Sequence, residues 1–276
     1  MSLEATGSED AVALEVPGVN ADLKMFLHTG GDQIISSAIR KDRYWEYYET
    51  LLTLRHLKEG DVFVDVGANI GYYSLIASQR VGRQGKVISY EPDPNNFALL
   101  KQNIASNDCP NVEIFPYALY DKNKSGKLFL SGDNFGDHRI YESPENRESQ
   151  DIILVNGGEH VGRHTQKIDF LKIDTQGAEF FVVNGLKKLI YQNREHIRIV
   201  LEFTPFGLRH SGASGHELLA ILDSLGMQYH IIDHNKDQLI PIYSQHLTEW
   251  ILETDASPEN EGFMNLFITP LGYPVL

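Results

Sequence analysis

Cysteine is almost missing from these 276 residues: Cys109 stands alone, so no disulfide forms within the chain, and a reducing compartment is the simplest reading. Basic residues are scarce beside acidic ones, 24 against 38, and the formal charge of -14 argues against nucleic acid as a main ligand. No apolar run approaches the roughly 18 residues of a membrane helix. The first residues, MSLEATGSED, carry acids where a secretory signal needs positive charge. A soluble, cytoplasmic protein with no membrane partner is expected. Hydrophobic residues at 42% and aromatics at 10% supply a core, which excludes wholesale disorder.

Residues 1–20 hold Glu4, Glu9, Asp10 and Glu15 without a Lys or Arg and read as a mobile lead-in. From Asp22, DLKMFLH alternates like a strand, and RYWEYYETLLTLRHLKEG has helical spacing up to Gly60. Together residues 21–60 predict a strand and helix forming a lid. Short apolar strands then alternate with helices: VFVDV, KVISYE, VEIFPY, FLKID, IRIVLEF, MQYHIID and NLFIT, with a further short strand at KLFLS. That alternation predicts an α/β fold with a doubly wound, mostly parallel, seven-stranded Rossmann-like sheet. The low apolar content of 132–168 marks an insertion, so that 21–276 reads as one domain.

Ligands of such sheets bind beyond the carboxyl ends of the strands. DVFVDVGANIGYYS places Gly67 and Gly71 in the first strand-to-helix turn, where glycine lets ligand or backbone approach; simple packing is the alternative role. Asp65 sits one residue before the end of that strand, and Glu91 ends the next, where an acid holds the hydroxyls of an adenosine ribose. A dinucleotide site would place glycine where Asn69 stands. The spacing instead suits a ligand with a cationic centre and no pyrophosphate, such as S-adenosylmethionine, its ammonium on Asp65, its carboxylate on backbone N–H groups from Asn69 to Gly71, and its ribose on Glu91.

The blocks VDVGANIGYYSLIAS, ISYEPDPNNFALLKQNI and DFLKIDTQGAEFFVVNG, in that order across residues 22–270, resemble the FkbM-type family of S-adenosylmethionine-dependent methyltransferases. The third contains Lys172, Ile173, Asp174, Gly177 and Glu179 in the family's K-I-D-x-x-G-x-E pattern. The resemblance implies a class I methyltransferase fold, cofactor contacts from Pro92 beside Glu91 and from Tyr117 and Ala118 after the third strand, and methyl transfer to a hydroxyl of a glycan or secondary metabolite. Tyr117 also reads as a core aromatic.

Transfer to oxygen needs an aligned, deprotonated nucleophile. Asp174, ending the fourth strand opposite Asp65, is the first candidate base, with helix capping as its other reading. His138, in GDNFGDHRI, is a second candidate because imidazole titrates near neutrality. Glu179 and Glu202 are expected at the substrate; the first also suits a helix N-terminus, the second burial against Arg198 or Arg209. Asp174, Glu179 and Glu202 are hard oxygen donors, but their spacing forms no compact loop, and no metal is expected. The pairs His160/His164 and His230/His234 lack thiolate partners for zinc. An NAD-dependent oxidoreductase and a non-catalytic binding module share the fold and remain alternatives.

Overall fold

The computed structural model describes residues 11–19, 21–142, 146–257 and 259–275. An N-terminal portion holds β1 (Val12–Ala13), β2 (Lys24–Met25), α1 (Ile35–Asp42) and α2 (Tyr47–His56). Alternation follows with β3 (Val62–Val66), α3 (Tyr72–Val81), β4 (Lys86–Tyr90), α4 (Pro94–Ser106) and β5 (Val112–Phe115). Next come β6 (Ala118–Tyr120), β7 (Lys124–Phe129), β8 (Ser149–Asn156) and α5 (Gly157–His164). The chain continues through β9 (Phe170–Ile173), α6 (Glu179–Asn193), β10 (Arg198–Phe203), α7 (Pro205–Ser211) and α8 (Gly215–Ser224). It closes with β11 (Met227–Asp233), β12 (Gln238–Ile242), α9 (Ser244–Asp255) and β13 (Met264–Pro270).

The central sheet runs β12-β11-β13-β10-β9-β3-β4-β5. From β5 to β10 the strands are parallel, and β13 enters antiparallel between β10 and β11. It is therefore α/β and mostly parallel, with eight strands instead of the expected seven, because Gln238–Ile242 folds back on β11 as an edge strand. Strands such as VFVDV and FLKI are almost wholly apolar because both faces are covered. One face, with Val64, Leu171, Ile173, Ile199 and Leu201, packs against residues of α6 and α8. The other presents Phe63, Val87, Phe170, Val200 and Phe267 to residues of α2, α3 and α4.

Register decides which polar residues share that second face. Asp65 pairs with Ser89 on β4 and Lys172 on β9, and Glu202 pairs with Asn265 on β13. Near the carboxyl end of the sheet, the period of two that builds the core thus builds a polar stripe.

Several elements depart from the sequence reading. The lead-in expected to be mobile over 1–20 is described at 11–19, where Val12–Ala13 pairs antiparallel with Lys24–Met25 and Leu14 and Val16 are buried; residues 1–10 and 20 lie outside the described residues. The lid has a second helix, α1, and its longer helix starts at Tyr47 because Arg43 and Glu46 adopt left-handed φ of 68° and 41° and break the run. Much of 132–168 is structured: β8 joins β6 and β7 in a separate three-stranded sheet, and α5 follows.

Candidate active site

A cavity of about 500 Å³ opens beyond the carboxyl ends of β3, β4, β9 and β10. Asp65, Gly67, Asn69, Glu91, Pro92, Tyr117, Ala118, His138, Asp174 and Glu202 all line it. Of the expected site residues, Gly71 and Glu179 do not. Gly71 has φ of 91°, and a Cβ there would come 2.5 Å from Leu100 Cδ1, so it serves the packing of α3 on α4. Gly67 has φ of 85°, and a Cβ would overlap the carbonyl oxygen of Asp174. Its lack of a side chain lets the loops after β3 and β9 pass each other, which sets the floor of the cavity.

Asp65 is 1% exposed and accepts a hydrogen bond from Ser74 Oγ at 2.6 Å. Burial pushes its carboxyl up to about 6, against the opposing pull of Lys172 and Ser74. Glu91 accepts from the backbone N–H groups of Asn69 and Asp93, each at 2.8 Å. Burial pushes it up to about 8, although both N–H bonds favour its charged form. The expected carboxylate cradle is already used by the protein: the N–H of Asn69 goes to Glu91, that of Ile70 to Asn69 Oδ1, and that of Gly71 to the carbonyl of Ala68.

Asp174 lies opposite, its side chain 29% exposed and its Oδ2 2.9 Å from Lys172 Nζ. Gln176 Nε2 donates to Asp174 Oδ1 at 2.9 Å and to Glu202 at 3.1 and 3.2 Å, tying the two acids together. Burial works to raise the Asp174 pKa, but the Lys172 charge and these hydrogen bonds outweigh it and hold the carboxyl below its usual range. Glu202 moves the other way, raised by burial and then by the charges of Asp174, Glu179 and Glu46.

Glu179 is fully buried and turned inward. It accepts from the Thr175 hydroxyl at 3.0 Å and from the backbone N–H of Thr175 and Gly177 at 3.2 and 2.9 Å. It therefore shapes the loop that carries Asp174 and Gln176, without meeting the cavity.

Lys172, Glu46, Tyr73 and Gln176 also line the cavity, and sequence reasoning assigned them no role. Tyr73 donates its hydroxyl proton to Glu46 Oε2 at 2.9 Å, and Lys172 Nζ sits 4.5 Å from the centre of the Tyr73 ring. Lys172 had a signal, two residues before Asp174 and hence on the same strand face. Glu46 had none, since its place depends on the broken helix start.

The roof joins the lid to the 131–141 loop. Phe135 O accepts from Asn69 Nδ2 at 3.0 Å and Asn96 Nδ2 at 2.9 Å, and Phe135 N–H donates to Asp32 at 3.4 Å. His138 Nδ1 accepts from the Ser131 N–H at 3.1 Å. The neutral ring then carries its proton on Nε2 and presents a donor, not the lone pair a base requires. Burial holds its pKa below the usual histidine value.

The sequence matches the family described as "Methyltransferase FkbM domain" over residues 65–229, more than half of the chain. The chain belongs to the FkbM methyltransferase family. Among curated relatives, it is 24% identical over 191 residues to "Hexuronic acid methyltransferase AglP" of Haloferax volcanii, covering 68% of this chain and 72% of that protein. It is 22% identical over 214 residues to "Methyltransferase sdnD" of Sordaria araneosa, covering 64% and 82%. A crystal structure of methyltransferase FkbM from Methylobacillus flagellatus KT is 13% identical, covers 80% of this chain and 50% of that chain, and superposes with a TM-score of 0.44.

FkbM membership makes this an S-adenosylmethionine-dependent methyltransferase and sets aside the nicotinamide oxidoreductase. The donor groups fit that cofactor. Asp65 and Glu91 are acids in the cavity wall, groups of the kind that accept from an ammonium and from ribose hydroxyls, while Tyr117, Ala118, Leu119 and Leu128 line a largely apolar stretch suited to a flat base. When bound, S-adenosylmethionine supplies an electrophilic methyl group on a positively charged sulfur. Among the described residues no helix is long and apolar enough to cross a membrane.

Proposed function

We propose that this FkbM methyltransferase methylates a hydroxyl oxygen of a glycan or secondary-metabolite acceptor, with Asp174 as the group that aligns the hydroxyl and takes its proton. The observation that carries this reading is the Asp174–Gln176–Glu202 bridge in the cavity wall. Lys172 keeps Asp174 ionised and fixed. An aligned carboxylate compensates for modest basicity by proximity, since hydroxyl and methyl group need only meet in line. Glu202, held by the same amide, is placed for a second acceptor hydroxyl. His138, as an Nε2–H donor, is suited to hold an acceptor oxygen instead of removing a proton.

The acceptor side includes Trp45, Tyr141, Phe206 and Phe263, aromatic faces on which a sugar ring packs with its C–H edges. The relative named for a hexuronic acid supports a sugar acceptor. Titration with S-adenosylhomocysteine should show saturable binding that Asp65→Asn and Glu91→Gln weaken. Asp174→Asn should keep that affinity while lowering kcat by about 10²–10⁴-fold on a hydroxylated acceptor. Equal activity in wild type and Asp174→Asn would remove the base assignment, and no binding of the ligand would remove the whole reading.

A further inference from the structure

Glu46 is the left-handed residue just before α2 and Glu49 lies in its first turn, and His234 opens the turn between β11 and β12. One donor atom from each lies within 4.8 Å of the other two. Glu49 is only 1% exposed.

A second, separate observation is the amide beside them. Asn265, 8% exposed on β13, donates through Nδ2 to Glu49 Oε2 at 3.2 Å and to His234 Nε2 at 3.1 Å. Its Oδ1 is buried with no hydrogen-bond partner among the described residues. A buried orphan carbonyl is costly, and a half-turn of the amide exchanges its two ends. With the oxygen turned inward, Asn265 offers Glu49 and His234 no proton, and the facing acceptors are satisfied by a cation held between them or by a proton on His234 Nε2.

Charge points the same way. Lys172 Nζ is 3.6 Å from Glu49 Oε1 but 2.9 Å from Asp174, so one ammonium is shared between acids on opposite sides.

We propose that Glu46, Glu49 and His234 form a binding site for a divalent transition-metal ion, with Asn265 Oδ1 as the fourth donor. A set mixing imidazole with carboxylate and amide oxygens suits Mn²⁺, Co²⁺ or Zn²⁺ better than the all-oxygen shells of Ca²⁺ or Mg²⁺. The site differs from the Asp174, Glu179 and Glu202 set considered from sequence, and its histidine comes from a pair noted in the sequence only for lacking thiolate partners. Its ligands come from the N-terminal lid, the β11–β12 turn and β13, so the ion fastens the lid to the far end of the sheet. The inference does not depend on the acceptor or on the base.

Cobalt is the probe, because Co²⁺ bound to imidazole and carboxylate gives visible d–d absorption. Titrating the full chain with Co²⁺ should saturate at one ion per chain, with Zn²⁺ displacing the colour. His234→Ala, in a turn, should keep the far-UV circular dichroism of the wild type and weaken binding by about 10-fold or more. Glu49→Gln should do the same without changing side-chain size. Absence of a saturable band, or one that survives unchanged in both variants, overturns the proposal.

Discussion

Gly67 and Gly71 carry the same positive φ and sit four residues apart, yet they meet different neighbours. Alanine at 67 faces a backbone oxygen that cannot move without shifting Asp174, whereas alanine at 71 faces the tip of Leu100. Gly67→Ala should therefore destabilise by about 3 kcal/mol or more, and Gly71→Ala by about 1–2 kcal/mol, as urea unfolding would measure. Equal losses would mean that the loop after β9 is more compliant than its packing indicates. At this scale the sequence was legible wherever a residue sits at the end of an apolar run. Asp65, Glu91 and Asp174 follow from strand ends alone. Whether a side chain faces the cavity was not legible, and Glu179 shows why. Its spacing in the KIDTQGAE block fits a functional acid, but the sharp turn at Gln176 and Gly177, both with positive φ, brings the backbone N–H groups of Thr175 and Gly177 around it and turns it inward.

At the scale of elements, the short helix α1 depends on one side chain. Asp32 accepts from the N–H groups of Ile34, Ile35 and Ser36 at 3.4, 3.3 and 2.7 Å and also from Phe135 N–H. The acid that starts the helix is thus the same one that holds the roof loop. Asp32→Ala should cost about 1–3 kcal/mol of stability and should also weaken S-adenosylhomocysteine binding, because Phe135 O is the shared acceptor for Asn69 and Asn96. A stability loss with unchanged affinity, by thermal melting and calorimetric titration, would separate the helix from the roof. The segment QIISSAIRKD gave little helical signal, since its capping acid precedes Ile35 by three residues and its partner loop lies about a hundred residues away. Strand β8 was missed for a similar reason. Its Ile152 and Leu154 are buried while Ile153 is exposed, an alternation too short to stand out from the polar segment around it.

For the whole molecule, the excess of acids is not confined to the surface. Asp65 and Glu91 bind their protons more tightly when folded, at about 6 and about 8, than unfolded carboxyls do at 3.8 and 4.5. Their contribution to stability is complete below the unfolded values and is lost as pH rises through the folded ones. The melting temperature should fall between about pH 4 and pH 8, and Glu91→Gln should flatten most of that fall above about pH 6. A wild-type curve that rises with pH over this range would show that other groups dominate.

The position of β13 has a consequence for the order of assembly. This strand is the last of the described elements to be made, yet it fills the place between β10 and β11. During synthesis, the earlier parallel strands can pair as they emerge, but the β11–β12 hairpin has no strand through which to join them until residues 264–270 have left the ribosome. Asn265, opposite Glu202, arrives in the same step. A nascent chain therefore forms the parallel part of the sheet first and completes the far wall only once β13 has been made.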